Sequence, residues 1–222
     1  MNRSTLGKEI KRDIASLREN YTKGGIRDED LPSQPVPMFA RWLDEAIESE
    51  VNEPNAMSLA TVTPNGAPNV RIVLLKGIEG ETLQFFTNYT SRKGDELKIT
   101  PSAAVSFWWP ELERQVRIRG RVEKLSRKEN DSYFQSRPRE SQIGAWVSRQ
   151  SSPVENRDAL KERADKISQK FGDDEVPTPD FWGGYSIEIE EIEFWQGRPG
   201  RLHDRILYQK TDGKWSRKRL QP

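Results

Sequence analysis

The stretch MSLATVTPNGAPNVRIVLLK, residues 57–76, decides the fold class. Residues 57–63 read as a strand, Pro64-Asn65-Gly66-Ala67 as a tight turn and residues 69–76 as the returning strand. Asn-Gly between two such runs is a strong hairpin signal, because both positions accept the positive φ that the turn demands. Outward from this hairpin the same period continues at residues 82–87, 103–109 and 115–125. In the last of these Val116, Ile118, Gly120 and Val122 face one way, and Arg117, Arg119, Arg121 and Glu123 the other, the pattern of a half-buried antiparallel strand. Residues 185–195, 204–209 and 214–220 add three strands, the last two joined by Thr211-Asp212-Gly213. Seven or eight strands with short turns predict a closed or nearly closed antiparallel barrel, mainly β, with helices on its outside.

The helical signals are fewer. Phe39, Trp42, Leu43, Ala46 and Ile47 repeat at helical spacing behind Pro37. Ser126-Arg127-Lys128-Glu129 is a capping box that opens a helix over residues 131–135. Residues 93–99 make a short helix, and residues 153–171 a longer one with Leu160, Ala164, Ile167 and Phe171 on one stripe. Residues 1–36 form a charged arm, helical over about 5–20, that ends in Gly24-Gly25 and a proline-bearing segment. Residues 37–222 form the single domain.

Composition bounds the function. The chain has 222 residues, 33% hydrophobic and 32% charged, so a lone copy has a thin core and association with a second copy would help it. Thirty-six basic against 35 acidic side chains leave a net charge of +1, which gives no global field for nucleic acid or an anionic membrane. Any anion site must be local. Zero cysteines exclude disulfides and thiolate metal sites, and one histidine excludes a multi-histidine zinc centre; a carboxylate-only magnesium site stays open but unsupported. The polar first 21 residues lack a signal-peptide core, and no apolar run is long enough to span a bilayer, so a soluble, cytoplasmic protein is expected.

Four segments carry chemistry. Arg71 and Lys76 bracket a strand, either as its ordinary polar ends or as ligands for two phosphates, since five residues of alternation put them on opposite faces. In Phe86-Thr87-Asn88-Tyr89-Thr90-Ser91-Arg92-Lys93-Gly94 a strand runs into a helix start, where hydroxyls, cations and free amides suit a phosphate. Tyr133 and Arg137, four apart, converge with Ser141 if the helix persists to Arg137; the polar run 148–152 follows. Residues 193–205 gather Trp195, Arg201, the lone His203, Asp204 and Arg205. Arginine forks bind phosphate and indoles wall a flat heterocycle, so these segments together suggest a phosphorylated aromatic ligand. No nucleophile-elbow pattern supports a Ser-His-Asp hydrolase.

Taken together, residues 71–76, 86–94, 114–116, 133–146, 181–184, 193–197 and 201–205 resemble the pyridoxamine 5′-phosphate oxidase family, over about residues 17–222. The resemblance implies a dimeric, FMN-binding split β-barrel. It implies that FMN lies against Arg71, Ile72, Val73, Leu74, Leu75 and Lys76, with Phe86, Thr87, Arg92, Lys93 and Gln115. Gln150, Ser151, Trp195 and Arg205 complete the cofactor site, some of them from the partner subunit. Lys76, Tyr133, Arg137 and Ser141 would hold the phosphate of pyridoxamine or pyridoxine 5′-phosphate, while Arg201, Leu202 and His203 cover its ring, Arg201 and His203 as catalytic residues. Arg18 and Tyr21 match an N-terminal segment able to close over the site. The implied reaction passes a hydride equivalent from the substrate to the flavin and on to oxygen. Phe86 lacks a hydroxyl that some relatives carry, and Arg198-Pro199-Gly200 makes a stiff approach to Arg201. Two competitors come from other classes: a non-catalytic binder of FMN or pyridoxal phosphate, and RNA binding through Arg117, Arg119 and Arg121, against which the neutral charge weighs.

Overall fold

The computed structural model of the chain describes Leu17 and residues 20–222. Apart from Leu17 and Asn20, the helix expected over residues 5–20 lies outside the described residues, and so does Arg18. The hairpin is present: β1 (Ala56–Val62) pairs antiparallel with β2 (Pro68–Leu74), with Gly66 at φ +86° in its turn. The returning strand stops early. Regular pairing ends at Leu74, and Leu75 and Lys76 carry the chain into an unforeseen short strand, β3 (Gly77–Glu79), which lies against β4 (Thr82–Asn88). The chain goes on through β5 (Ser102–Trp109), β6 (Arg114–Lys124), β7 (Trp182–Gln196), β8 (Asp204–Thr211) and β9 (Lys214–Leu220). That makes nine strands among the described residues, where seven or eight were expected.

Every pairing is antiparallel, in the order β2-β1-β5-β6-β7-β4-β3, with β8 and β9 branching from β7. The branch arises because β7 is 15 residues long. β6 follows one side of it, while on the other side β4 pairs with the first part, Trp182 to Glu188, and β8 with the second, Glu191 to Gln196. Between Arg119 and Gly120 the β6 partner jumps from Glu191 to Ile189, a bulge that adds local twist where β7 changes neighbours. A Cβ on Gly120 would collide with the Glu188 carbonyl, so the bulge needs glycine. No pairing joins the end strands β2 and β3, although the chain runs directly from one to the other. The fold is therefore an open antiparallel barrel with flanking helices, a split barrel as the sequence leads one to expect.

Two apolar cores result. α1 (Pro35–Glu48) sends Met38, Phe39, Trp42 and Ala46 into the barrel core with Phe85, Phe107, Val116, Ile118 and Phe194; Ile47, from the same expected stripe, stays exposed. α2 (Arg92–Ile99) follows β4. In α3 (Arg127–Ser136) both bonds of the capping box form. The helix ends at Ser136 because Pro138 disfavours helical geometry at the residue before it, and Arg137 is extended at φ −77°, ψ 148°. α4 (Arg139–Val147) was not foreseen, though Ile143 and Val147 already stand four apart. α5 (Arg157–Phe171) starts at its cap Asn156, whose side chain accepts the Ala159 N–H at 2.8 Å, four residues later than expected. Its stripe packs with Phe134, Ile143, Val147 and Trp182 into a second core, separate from the barrel. A cleft opens between the two.

Candidate active site

The cleft has a volume of about 1070 Å³ and collects residues from β2, β4, α2, α3, α4 and the loop after α4. Five cations line it, Arg71, Lys76, Arg92, Lys93 and Arg137, and among the described residues no carboxylate does. Ile72, Val73, Leu74, Phe86, Thr87, Tyr133, Ser141, Gln150 and Ser151 line it as well. Because β2 is an end strand, residues from both of its faces reach the same cleft, so Arg71 and Lys76 do not serve separate regions. Leu75 is the exception within 71–76: its side chain is in the barrel core, and its N–H donates to the Asn55 carbonyl at 2.8 Å.

At the start of α2 the chain builds a cradle. The Ser91 hydroxyl caps the helix by accepting from Gly94 N–H, and the Lys93 ammonium donates to Thr87 Oγ1 at 3.0 Å and to Gln150 Oε1 at 2.9 Å. The Arg92 N–H donates to Ser151 Oγ at 3.2 Å, and Ser151 sits at φ +73°, a strained backbone for a non-glycine residue. Gly94 is needed here, since a Cβ would run into the Tyr89 carbonyl. Burial, then the neighbouring Arg71 charge, lowers the Lys93 pKa to about 8, with Glu96 acting in the opposite sense.

On the far wall Phe86 stacks on Tyr133 with ring centroids 3.8 Å apart, and Trp182 lies parallel to both. The Arg137 guanidinium lies 4.6 Å over Trp182. Tyr133 and Arg137 do not share a helix face, because α3 ends between them; both reach the cleft all the same. Arg137 Nη1 is buried with no hydrogen-bond partner, and burial lowers the pKa of this arginine. A buried, unpaired donor at the wall of a cleft lined by five cations fits an anionic ligand, since leaving that bond unmade costs more than the bond gains.

The remaining expected residues form a second group. Gln115, Trp195 and Arg205, far apart in sequence, are cross-strand neighbours in one row over β6, β7 and β8. Trp108 on β5 extends that row, opposite Gln115 and 6.0 Å from the Trp195 ring; nothing in the sequence reading singled it out. Tyr21 and His203 pack on Trp195 at 5.5 and 4.7 Å. His203 Nδ1 accepts the Arg198 N–H at 3.1 Å, which requires that nitrogen to be unprotonated, and burial followed by the Arg201 charge lowers its pKa. Arg201 stands at φ +63°, with Leu202 exposed beside it. Arg205 is held by Glu193 through two hydrogen bonds, at 2.9 and 3.1 Å. None of this group lines the cleft. Trp182 does, and Trp195 lies thirteen residues further along β7, roughly 40 Å at about 3.3 Å per residue.

Arg117, Arg119 and Arg121, which would have to face RNA, are engaged with Glu193, Glu191 and Glu123. Among the described residues no helix is long and apolar enough to cross a membrane, and no cluster of three or more potential metal ligands occurs. Residues that sequence reasoning missed include Trp182 and Asn69 in the cleft and Glu96 beneath it. Trp182 stands in residues 181–184, one of the stretches that carry the family resemblance, but was given no role there.

A split antiparallel barrel with this basic side cleft defines, first, a split-barrel protein with an anion-suited cleft between its two cores. A family model described as pyridoxamine 5′-phosphate oxidase matches residues 43–171, and one described as the pyridoxine 5′-phosphate oxidase C-terminal dimerisation region matches residues 182–222. The pyridoxine/pyridoxamine 5′-phosphate oxidase of Rubrobacter xylanophilus is 49% identical over 212 residues, 96% of this chain and 98% of the relative. Its namesake in Neisseria gonorrhoeae is 50% identical over 210 residues, 95% of this chain and 100% of the relative. Among solved structures, PhzG from Burkholderia lata, in complex with tetrahydrophenazine-1-carboxylic acid, is 34% identical with a TM-score of 0.83, over 87% of this chain and 95% of that one. A related FMN-binding protein from Nostoc punctiforme, at 19% identity and TM-score 0.71 over 86% and 100% of the two chains, shares the fold. The chain belongs to the pyridoxamine 5′-phosphate oxidase family.

Proposed function

We propose that the protein is a homodimeric, FMN-dependent oxidase that converts pyridoxamine or pyridoxine 5′-phosphate, with oxygen, to pyridoxal 5′-phosphate and hydrogen peroxide. The amine also consumes water and releases ammonia. The observation that carries this reading is the cation-lined cleft, free of carboxylates among the described residues, with the unpaired Arg137 Nη1 in its wall. It offers two anion grips, one around Arg92, Lys93, Thr87, Gln150 and Ser151, the other around Tyr133, Arg137, Ser141 and Lys76. A flavin phosphate and a vitamer phosphate need one each.

FMN, when bound, supplies the electron acceptor that takes a hydride equivalent from the substrate 4′ carbon and hands electrons to oxygen. The chain does the rest by binding and orientation. In this reading the Lys93 ammonium and the Arg92 guanidinium fix the cofactor phosphate, and the Arg137 guanidinium anchors the substrate. Arg201 and a neutral His203, whose Nε2 carries the proton, orient the pyridine and stabilise the charge that develops on it.

Two copies are needed to bring the parts together. The Gln115, Trp195, Arg205 and His203 group stands at the other end of β7 from the cleft, and a partner subunit would supply it. Val70 and Ile72, 66% and 63% exposed on β2 at the wall of the cleft, give that partner an apolar seat. The C-terminal dimerisation region matched over residues 182–222 agrees. The reading is tested by adding pyridoxamine 5′-phosphate and oxygen to FMN-loaded protein, where peroxide and aldehyde should form in equal amounts. A yellow protein that makes no peroxide would instead be a non-catalytic flavin binder.

A further inference from the structure

Glu96 lies beneath the cleft and touches none of its open volume, yet it is engaged with the cleft's cations. It is 3% exposed, on α2, three residues from Lys93 and so on the same helix face. Its carboxylate accepts from Arg71 Nη2 at 3.2 Å, from Asn69 Nδ2 at 3.0 Å and from the Thr61 hydroxyl. Arg71 Nη1 is tied as well, to the Leu59 carbonyl at 3.3 Å and to the Thr61 hydroxyl. The guanidinium is thus fixed against β1 by a buried carboxylate, which holds it in one orientation. Burial pushes the Glu96 carboxyl up, but the bonds from Asn69 and Thr61 and the Arg71 charge outweigh it and keep the group below its usual range.

Arg71 and Lys93 repel each other in this wall, and only lysine can respond by losing its proton. The charged groups acting on Lys93 are Arg71 from β2 and Glu96 from α2; its contacts from β4, from Ser91 and from the loop after α4 are the neutral Thr87, Ser91 and Gln150 side chains. We propose that Glu96 is a positioning residue of the cofactor site: it orients Arg71 and offsets the repulsion between Arg71 and Lys93, so that both cations are available to one anion. The inference rests on the reading of this cleft as the FMN site.

A consequence is a defined pH dependence. An anion bound by protonated Lys93 loses affinity as pH rises through the lysine pKa of the free protein, about 8. Removing the Glu96 charge takes away the charge that, among the described residues, favours the protonated lysine, and the loss of affinity then begins at lower pH. The test is titration of FMN onto the full-length apoprotein, followed by quenching of flavin fluorescence from about pH 6 to about pH 10, a range that brackets the lysine. In Glu96→Gln the alkaline midpoint should fall by about one unit, the lower end of the effect of an opposite charge at close range. Glu96→Asp, which keeps the charge, should restore most of it. Coincident midpoints for wild type and a folded Glu96→Gln would overturn the proposal. Should Glu96→Gln fail to fold, Arg71→Gln reads the same arrangement from the other side: removing the repelling cation must raise the midpoint, and an unmoved or lower midpoint overturns the proposal. A wild-type protein that binds no FMN at any pH overturns the cofactor reading beneath it, whereas bound FMN with unmoved midpoints overturns this inference alone.

Discussion

His203 is the only histidine in the chain, which makes its charge state directly measurable. Its Nδ1 is occupied as an acceptor from Arg198, and both burial and Arg201 disfavour a second proton. The folded pKa therefore lies below the ordinary 6.5. Folding binds fewer protons than unfolding here, so the contribution of this residue to stability is full above about pH 6.5 and is lost as pH falls through the folded value. We expect the single imidazole resonance in a proton–nitrogen spectrum to titrate below pH 6.5, with turnover falling on the acid side alongside it. A titration above 6.5 would contradict the neutral orienting role.

At the scale of the element, the α2 start shows how tightly backbone and site are joined. Gly94 lets the helix pass the Tyr89 carbonyl, and Ser91, Arg92 and Lys93 are placed by that same turn. Gly94→Ala should destabilise the protein by about 1–3 kcal/mol, the cost of overpacking. It should also weaken FMN retention, measured as flavin lost on dialysis beside a thermal melt. Full stability with unchanged retention would show that the turn has room to spare. Elements like this were legible where local chemistry specifies them: the capping box at Ser126 and Glu129, the Asp212-Gly213 turn at φ +51° and +73°, and the alternation of β6 all read directly. α4 was missed because its first residues, Arg139 to Ser141, are polar and follow a proline, so no period shows before Ile143. β3 was missed because the stop at Leu74 is set by β1, which runs out of partners at Ala56.

For the whole molecule, sequence resemblance could propose site residues but not how the fold distributes them. The row of Gln115, Trp195 and Arg205 depends on the register of three strands, and its separation from the cleft depends on the length of β7. Under the proposed function, that separation is what calls for a second subunit, in agreement with the dimerisation region matched over residues 182–222. Ile72→Asp places a charge on the exposed apolar face of β2 at the wall of the cleft; it should shift sedimentation from dimer to monomer and abolish FMN retention together. A monomer that still holds flavin would break the link between assembly and site. The central claim, that this cleft oxidises a phosphorylated vitamer, is tested most directly by anaerobic mixing of FMN-loaded protein with pyridoxamine 5′-phosphate under a spectrophotometer. We predict that the visible flavin band bleaches and returns when oxygen is admitted, with one pyridoxal 5′-phosphate formed per flavin. A band that stays unchanged while the protein holds FMN would contradict it.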